Sequence, residues 1–300
     1  MPNLLIFGLG YTASRIATAS RALGWEVHAT GSAGDLSFDD IGNVKLAIAQ
    51  ASHILSSVPP VVDGDPVLRS YGDAIRTSPA QWIGYLSSTG VYGDARGAWV
   101  DESAPIRGRR ESRNQADRDW QVLSQISRVF RLPGIYGPGR SALDRVKQGG
   151  AHRIEVPDQV FSRIHVDDIV SGVLASFAGP PGTYNLSDDA PCSQNRVIEA
   201  ACDLLGLPHP PLLSLEAAQL SREARAFYSE NRRVSNAKAK RLLGWKPVYA
   251  DFAMGLRALS AITSPVIANA PPPAAIASPL MAIDLGDARN ATMFPISSAV

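Results

Sequence analysis

The chain has 300 residues, a formal net charge of +1, 45% hydrophobic residues and 19% charged residues. This length fits one large domain or two ordinary ones, and the apolar content is sufficient for a full core. A charge this close to zero gives no indication of nucleic acid or an anionic membrane as a partner. No segment approaches the ~18 apolar residues of a membrane span, so we expect no membrane partner.

The amino terminus, the cysteines and the histidines favour a cytoplasmic protein without a metal. Met1-Pro2-Asn3 lacks the basic region of an export signal. Cys192 and Cys202 do not have CxxC spacing, so reduced thiols are expected rather than a disulfide. The five histidines form no HExxH or clustered set, and we therefore expect no metal site.

The first part of the chain has the pattern of a dinucleotide-binding unit. The apolar run Leu4–Phe7 predicts a buried strand that ends at a glycine turn, GLGYTA, at residues 8–13. A helix is predicted over Arg15–Leu23, with Ile16, Ala19, Ala22 and Leu23 on its apolar face, and Trp25–Ala29 predicts a second strand. A strand, a glycine turn, a helix and a strand in this order are typical of proteins that bind a dinucleotide.

The glycines of this turn have distinct physical roles. Gly8 lets the backbone turn tightly, and Gly10 has no side chain to keep a pyrophosphate away from the main chain. The start of the helix offers free N–H groups and a partial positive charge to the phosphate. Ala13, where a third glycine is common, is small enough for close helix–strand packing. The alternative is a glycine turn that binds no ligand.

The end of the second strand distinguishes NAD from NADP in such units. An acidic residue there binds the ribose hydroxyls of NAD, whereas an arginine nearby accepts the additional phosphate of NADP. This chain has Thr30, Gly31 and Ser32 instead. NADP is slightly favoured because no carboxylate repels its phosphate, but the usual arginine is also missing, and the choice between the two stays open.

Strands and helices continue to alternate along the chain. Strands are predicted at residues 51–60, 82–86, 128–132 and 183–186, and helices at 67–77, 109–127, 167–177, 194–205 and 236–243. Ser193 is expected to cap the fourth of these helices and Gly206 to end it. This alternation predicts an α/β fold, a Rossmann-type doubly wound parallel sheet with a small C-terminal substrate-binding part.

We expect one domain at residues 1–263, with substrate-binding elements mainly in 134–165 and 180–260. From residue 264 to 300 the composition changes to alanine and proline, with Asp284, Asp287 and Arg289 as the charged residues. This composition predicts a disordered or loosely attached tail.

Four further segments carry a resemblance to a known family. They are Ser87–Gly93 (SSTGVYG), Arg131–Gly139 (RLPGIYGPG), Arg163–Asp168 (RIHVDD) and Asn236–Trp245, which ends in LGW. Together with the glycine turn, they make residues 2–259 similar to the extended short-chain dehydrogenase/reductase superfamily, of the NAD-dependent epimerase/dehydratase type. The resemblance implies NAD or NADP as cofactor, a small-molecule substrate, and oxidoreductase, epimerase or dehydratase chemistry.

In that family a Ser or Thr hydroxyl binds the substrate oxygen, and the chemistry needs a tyrosine and a lysine spaced YxxxK. The tyrosine is the general acid/base, and the lysine supplies positive charge and holds the nicotinamide ribose. The tyrosine, with an ordinary pKa of about 10, needs the lysine charge to work near neutral pH. Ser88, followed by Thr89, matches the hydroxyl, but no tyrosine occurs between Tyr92 and Tyr136. The chain therefore resembles the atypical subgroup that has lost the active tyrosine.

The best alignment places Arg109 at the tyrosine position and Arg113 at the lysine position. Arg109 cannot be a general base because a guanidinium stays protonated in proteins. Arg113 can keep the positive charge. Tyr92 and Tyr136 follow predicted strands and are candidates to replace the lost tyrosine; alternatively, each packs in the core with its hydroxyl satisfied.

The resemblance thus implies catalytic roles for Ser88, Arg113 and Tyr92. The residues implied to bind the cofactor lie in the glycine turn and after the strands that follow: Gly8, Leu9, Gly10, Tyr11, Thr12, Thr30, Ser57, Val58, Pro59, Pro133 and Ile135. The residues implied to bind the substrate are Thr89, Tyr136, Arg140 and Arg163.

Several of these residues have structural alternatives. Arg163 could pair with Asp167 or Asp168 instead of an anionic substrate, and His165 is interpreted as a structural histidine at a strand end. Members of the family often form homodimers through helices beside the crevice. The stripe of Trp120, Leu123 and Ile126 would permit this, but would serve equally well as ordinary core.

Two functions are therefore weighed. The first is an NAD(P)-dependent oxidoreductase, epimerase or dehydratase that acts on a small polar substrate. The second is a dinucleotide-binding redox sensor with little or no turnover, which the loss of the tyrosine favours. A protein that binds no nucleotide would leave Gly8 and Gly10 unexplained.

Overall fold

The computed structural model describes residues 2–263. The strands are β1 (Asn3–Phe7), β2 (Glu26–Ala29), β3 (His53–Ser56), β4 (Trp82–Ser88), β5 (Trp99–Val100), β6 (Ser127–Leu132), β7 (Gly134–Tyr136), β8 (Arg153–Ile154), β9 (Arg163–His165), β10 (Gly182–Asn185), β11 (Leu212–Leu213) and β12 (Arg233–Val234). The helices are α1 (Tyr11–Ala22), α2 (Ile41–Gln50), α3 (Pro66–Arg76), α4 (Glu111–Leu123), α5 (Ala142–Lys147), α6 (Val166–Ala175), α7 (Gln194–Leu205), α8 (Arg222–Phe227), α9 (Ala237–Leu243) and α10 (Phe252–Thr263). A 3₁₀ helix covers Thr89–Tyr92.

Six strands form one parallel sheet in the order β10-β6-β4-β3-β1-β2. After β2 the chain crosses β1 and enters the sheet again as β3, so the strand order reverses between β1 and β3. In open parallel sheets ligands bind at such a reversal, outside the carboxyl ends of the strands. The predicted Rossmann-type parallel sheet is confirmed.

Helices cover both faces of this sheet. On one face, α1 and α6 bury Ile16 and Ile169 against β1 and β6. On the other face, α2, α3 and α4 bury Val44, Tyr71 and Trp120. Strands that are buried on both faces are almost continuously apolar, which is why Leu4–Phe7 was recognisable from sequence.

A third apolar cluster lies outside the main sheet. Tyr136, Leu143, Ile198 and Leu256 pack together where α5, α7 and α10 meet. This cluster is the core of the C-terminal part of the fold. The small parallel pairs β7-β9, β8-β11 and β5-β12 join that part to the loops that leave the main sheet.

The predicted first and last residues of α7 agree with the structure, and α9 ends in the same way as α7. The Ser193 hydroxyl accepts a hydrogen bond from the Arg196 amide at 3.3 Å, at the start of α7. Gly206 follows α7 with φ +64° and Gly244 follows α9 with φ +63°, a left-handed conformation that glycine adopts without strain.

Two predicted helices differ from the structure. The first helix begins at Tyr11 rather than Arg15, because Gly10 is already its N-cap, and Ala22 and Leu23 are exposed rather than on the buried face. α4 covers only Glu111–Leu123 of the predicted range 109–127. Residues 41–50, for which no helix was predicted, form α2.

Trp120, from the stripe considered for a homodimer, belongs to the core. Its side chain is 0% exposed and stacks on Tyr85 with ring centres 5.1 Å apart. Its indole N–H donates to Asp65 Oδ2 at 2.8 Å. The stripe therefore supports packing rather than a dimer surface. The predicted tail at 264–300 lies outside the described residues.

Candidate functional site

The glycine turn connects β1 to α1 at the reversal of the strand order. Gly8 has φ +81°, and a Cβ atom there would lie 2.9 Å from Val58 Cγ2. Any side chain at this position would therefore strain the turn and collide with the end of β3. Gly10 differs, because a Cβ there would meet nothing within 4 Å. The absence of a side chain at Gly10 leaves open space beside the start of α1, as a phosphate would require.

Side chains from the neighbouring strand ends hold the turn in place. The Gly8 amide donates to Thr30 Oγ1 at 3.2 Å, and Ser57 Oγ donates to the Gly8 carbonyl at 2.6 Å. Thr30 follows β2 and Ser57 follows β3, so both strands beside β1 contribute. The resemblance assigns both residues to cofactor binding. In the structure, their hydroxyls form hydrogen bonds to the backbone of the glycine turn.

The start of α1 is free of acidic side chains. Gly10 provides no side-chain cap, and the first turn contains no Asp or Glu. Tyr11 lies at this end, with its hydroxyl donating to the Pro138 carbonyl at 3.1 Å. The guanidinium of Arg15 lies 5.1 Å from the centre of the Tyr11 ring, and that of Arg140 lies 5.6 Å from it. The helix dipole and the Arg140 charge make this end of α1 attractive to an anion, whereas the Arg15 charge is paired with Asp167 at 3.5 Å.

Arg140 belongs to a turn that packs on the start of α1. Residues 137–140 form a tight turn, closed by the Arg140 amide donating to the Gly137 carbonyl at 3.0 Å. A Cβ on Gly137 would lie 2.6 Å from the Tyr11 hydroxyl, so the turn packs directly on the start of α1. Arg140, expected to bind the substrate, therefore lies beside the glycine turn.

The other residues implied to bind the cofactor lie around the same crevice. Val58 and Pro59 directly follow β3, next to Gly8. Pro133 separates β6 from β7, and Ile135 is in β7, packed against the core under α1 and α6. Their roles stay predictions.

Ser88 ends β4 and caps the 3₁₀ helix that follows. Its Oγ accepts from the Gly90 amide at 3.1 Å, while Leu132 of β6 lies beside it in register. The hydroxyl proton makes no hydrogen bond within residues 2–263 and can donate to a ligand. Thr89 is buried.

Tyr92, predicted to be catalytic, lies in a buried polar network. Its side chain is 3% exposed, and its hydroxyl donates to Asn185 Oδ1 at 2.7 Å and accepts from Arg131 at 3.0 Å. Burial raises the pKa of Tyr92 to about 12, against the effect of the Arg131 charge. The hydroxyl thus has both a donor and an acceptor partner, as the packing alternative predicts.

The same network contains a buried ion pair. Arg131 donates to both carboxylate oxygens of Asp117, from Nε at 3.1 Å and from the terminal nitrogen at 2.8 Å. The two side chains are 2% and 0% exposed. Ser87 Oγ donates to the same carboxylate at 2.6 Å. The network ties β4, α4, β6 and β10 together directly below the crevice.

Tyr136 also points away from the glycine turn. It is 8% exposed and belongs to the apolar cluster between α5, α7 and α10. Its hydroxyl lies against Gly255 of α10 and has no hydrogen-bond partner in the described part of the chain. Burial raises the pKa of Tyr136 above that of a free tyrosine. The packing contacts are those of a core residue, although this hydroxyl is unsatisfied.

Arg109, aligned with the lost tyrosine, binds the segment before β12. Its Nε donates to Glu230 Oε1 at 2.6 Å and a terminal nitrogen donates to the Ala226 carbonyl at 2.8 Å. Arg113 is half-buried in the first turn of α4, close to the carboxyl end of β4. Its role in place of the family lysine stays a prediction.

Arg163 does not pair with Asp167 or Asp168, and neither alternative partner was correct. Its guanidinium donates to the carbonyls of Phe161 and Cys192 at 2.9 and 3.1 Å and to Gln194 Oε1 at 3.1 Å. Asp167 lies 3.5 Å from Arg15 instead.

His165 is the N-cap residue of α6, where its Nδ1 accepts from the Asp167 amide at 3.2 Å. Burial lowers the pKa of His165. Its position and bond agree with the interpretation as a structural histidine. Cys192 and Cys202 are both buried free thiols.

No helix within 2–263 is long and apolar enough to cross a membrane. In the same residues, no group of three or more His, Cys, Asp or Glu side chains could hold a metal ion.

Sequence reasoning missed the network around Arg131 and Asp117. A signal existed, because Arg131 interrupts an apolar strand and a charge inside a buried strand needs a partner. The identity of that partner, on a helix earlier in the chain, could not be read from the pattern.

Comparison with known proteins agrees with this geometry. No family model matches the chain. The structure of a conserved protein of unknown function from Silicibacter pomeroyi is 40% identical, with a TM-score of 0.79, and the match covers 87% of this chain and 99% of that one. The chain belongs to the family of that protein. Protein YeeZ of Escherichia coli K12 is 25% identical over an alignment of 256 positions, and the match covers 70% of this chain and 86% of YeeZ.

More distant structures have the same fold. dTDP-glucose 4,6-dehydratase from Bacillus anthracis, in complex with NAD, is 15% identical with a TM-score of 0.69 over 87% of this chain and 96% of its own. The human epimerase family protein SDR39U1, with NADPH, is 14% identical with a TM-score of 0.70 over 86% and 99%. The expected resemblance to the NAD-dependent epimerase/dehydratase type is confirmed for the fold.

Proposed function

We propose that this chain binds a nicotinamide dinucleotide in the crevice between β1 and β3 and acts on a small polar substrate as an oxidoreductase, epimerase or dehydratase. The observation that carries the proposal is the open space at Gly10, beside a helix start without acidic residues. The fold is shared with solved proteins that hold NAD or NADPH.

The residues present fit such a cofactor. The amides of the glycine turn and the start of α1 would hold the pyrophosphate, with Arg140 adding a positive charge above Tyr11. Val58 and Pro59 would border the adenosine half and Pro133 and Ile135 the nicotinamide half. A bound nicotinamide ring supplies or accepts a hydride. The Ser88 hydroxyl would hold the substrate oxygen, and the Arg113 charge would stabilise negative charge that develops there.

The first experiment is calorimetric titration of the protein with NAD, NADH, NADP and NADPH, alongside a Gly10→Asp variant. The added carboxylate would occupy the proposed phosphate position. The variant should fold, because Asp is a favoured N-cap residue and a Cβ at this position meets no atom within 4 Å. We expect wild type to bind one cofactor pair with affinity on the order of 8 kcal/mol, and the variant not to bind.

Gly10→Ala is the matched control, because it adds one methyl group without charge and should weaken binding less. If wild type binds none of the four dinucleotides, or if Gly10→Asp binds as tightly as wild type, the proposal fails. An unchanged unfolding temperature in both variants would show that the fold is retained.

NADP is the slightly favoured cofactor in this proposal. The first carboxylate on the loop after β2 belongs to Asp35, and it is already bound to the Ala29 amide at 2.7 Å and to His28 Nδ1 at 2.6 Å. Ser32, exposed on the same loop, has no charge to repel a 2′-phosphate. A Ser32→Asp variant should shift preference towards NAD, and an unchanged ratio of affinities would argue against this placement of the ribose.

The second candidate function is a dinucleotide-binding redox sensor with little or no turnover. The observation that favours it is the burial of both substitute tyrosines, Tyr92 and Tyr136, away from the glycine turn. Such a protein should change its resistance to limited proteolysis between the oxidised and reduced cofactor, without oxidising NADPH in the presence of sugar nucleotides or small carbonyl compounds. Measurable NADPH oxidation with any of these substrates would favour the enzyme.

A further inference from the structure

A cavity of about 550 Å³ lies at the outer edge of the main sheet, away from the glycine turn. This volume is within the range of small-molecule pockets, roughly 300–1,000 Å³. Ser127 and Val129 of β6 and Thr183 of β10 form its floor, and α4, the loop after β5 and α9 contribute its walls. Three strands lie between β10 and β1 in the sheet. We call this space the edge cavity, and it is separate from the dinucleotide crevice.

The floor of the edge cavity contains a buried hydroxyl without a partner. Ser127 is 6% exposed, and its Oγ makes no hydrogen bond within residues 2–263. Thr183 lies beside it on the same face of the sheet, because it is in register with Val129. A buried hydroxyl without a hydrogen bond costs free energy, which a ligand that bonds to it would recover.

The free edge of β10 adds a backbone donor. The Asn185 amide points out of the sheet and donates to Glu102 Oε1 at 2.7 Å. Alternate residues of a strand direct their amides to the same side, so the Thr183 amide faces the same outer edge. The edge cavity therefore offers both hydroxyl and amide groups to a polar ligand.

Four charged side chains line the edge cavity from two different walls. Asp101 and Glu102 belong to the loop after β5, whereas Lys238 and Arg241 belong to α9. The spacing of three residues places both bases on one face of that helix. The Lys238 ammonium lies 5.3 Å from the centre of the Tyr184 ring, which holds it at the sheet edge. Within residues 2–263, none of the four charged side chains forms an ion pair.

This pattern of charge selects the class of ligand. A simple anion would be repelled by the two carboxylates, and a simple cation would be repelled by the two bases. A neutral ligand would remove water from four charges without pairing them. A small molecule that carries an ammonium and a carboxylate complements both walls at once.

We propose that the edge cavity binds a zwitterionic α-amino acid. Lys238 and Arg241 would donate to its carboxylate, and Asp101 and Glu102 would accept from its ammonium. The Ser127 hydroxyl would bond to a polar group of the ligand at the floor. This site goes beyond the proposed function, since neither the dinucleotide nor the substrate of the crevice takes part in it.

The test is thermal unfolding of wild type, Arg241→Met and Arg257→Met with each of the twenty L-amino acids at equal pH and ionic strength. Arg257 is an exposed arginine of α10 outside the edge cavity, and it controls for the loss of one surface charge. At about 10 mM we expect at least one amino acid to raise the unfolding temperature of wild type and Arg257→Met by about 3 °C. Arg241→Met should lose most of this increase.

Ser127→Ala tests the floor of the edge cavity. It removes a buried hydroxyl without a partner, so it should unfold no earlier than wild type without ligand. It should nevertheless show a smaller increase with the stabilising amino acid. If no amino acid stabilises wild type, or if Arg241→Met and Ser127→Ala both respond as wild type does, the inference is overturned.

Two derivatives of the stabilising amino acid test the need for both charges. The N-acetylated form lacks the ammonium and the α-amide lacks the carboxylate, so each should give much less of the increase. An N-acetylated form that stabilises as strongly as the free amino acid would show an anion site and overturn the zwitterion assignment.

The Gly10→Asp variant distinguishes this inference from the proposed function. It should bind no dinucleotide and yet keep the full response to the amino acid. If Gly10→Asp loses the response while Arg241→Met keeps it, the amino acid binds in the crevice and the edge cavity is not its site. If wild type binds no dinucleotide but shows the Arg241-dependent response, the proposed function fails and the amino-acid site stands.

Discussion

Asp117 and Arg131 form a buried ion pair, in which the stability of each charge depends on the other residue. The pair is inaccessible to solvent and holds Ser87 and Tyr92 in the same network. Breaking a buried ion pair from one side leaves the other charge uncompensated in a medium that solvates it poorly.

We expect Asp117→Asn to lower the free energy of unfolding by about 3–5 kcal/mol, because Arg131 would lose its counter-ion. Urea unfolding monitored by circular dichroism measures this loss. The matched control is the double variant Asp117→Leu with Arg131→Met, which removes both charges and should be more stable than Asp117→Asn. A single variant as stable as wild type would show that the pair contributes nothing.

At the scale of elements, one carboxylate joins two helices. Asp65 Oδ1 accepts from the amides of Val67 and Leu68 at 2.9 and 3.0 Å and so caps α3. Its other oxygen accepts from the Trp120 indole of α4 at 2.8 Å. The cap and the contact between helices therefore depend on the same buried residue.

We expect Asp65→Ala to cost about 2–4 kcal/mol, the sum of a lost cap and a buried indole N–H left without a partner. Ser193→Ala, which removes only the cap of α7, should cost about 1 kcal/mol. Chemical denaturation of both variants gives the comparison. Equal losses would mean that the bond to Trp120 adds nothing to the cap.

For the molecule as a whole, two buried groups give opposite pH dependences of stability. Burial and the Arg128 charge lower the pKa of His53 to about 4, whereas burial raises the pKa of Asp188 to about 7. The unfolded state takes up a proton at His53 near pH 6.5, so this group destabilises the fold as pH falls from 6.5 to 4. The unfolded state releases the Asp188 proton near pH 4, whereas the folded state keeps it until about pH 7. This group therefore destabilises the fold as pH rises from 4 to 7.

Two variants separate these contributions. Asp188→Asn should gain stability relative to wild type as pH rises from about 4 to 7, and His53→Gln should gain relative to wild type as pH falls from about 6.5 to 4. Urea unfolding across this range gives the difference in free energy at each pH. The pH dependence of that difference is the measurement, since either substitution also changes packing. A difference that is constant with pH would contradict the assignment for that residue.

Much of the architecture was predictable because it depends on neighbours along the chain. The strand at Leu4–Phe7, the turn at Gly8 and Gly10, and the cap of α7 at Ser193 follow from apolar runs, backbone freedom and capping. Where local rules compete, the prediction was less accurate. The first helix begins in the glycine turn because Gly10 is already its N-cap.

The sequence by itself therefore determined the alternation of strands and helices, the glycine turn and the likeness to a dinucleotide-binding family. Only the tertiary structure decided that Tyr92 is held by Arg131 and Asn185 and that Trp120 lies in the core. The physical reason is the distance along the chain over which each effect acts. Backbone conformation and periodicity act over a few residues, whereas the partner of a buried polar group is chosen by packing between distant elements.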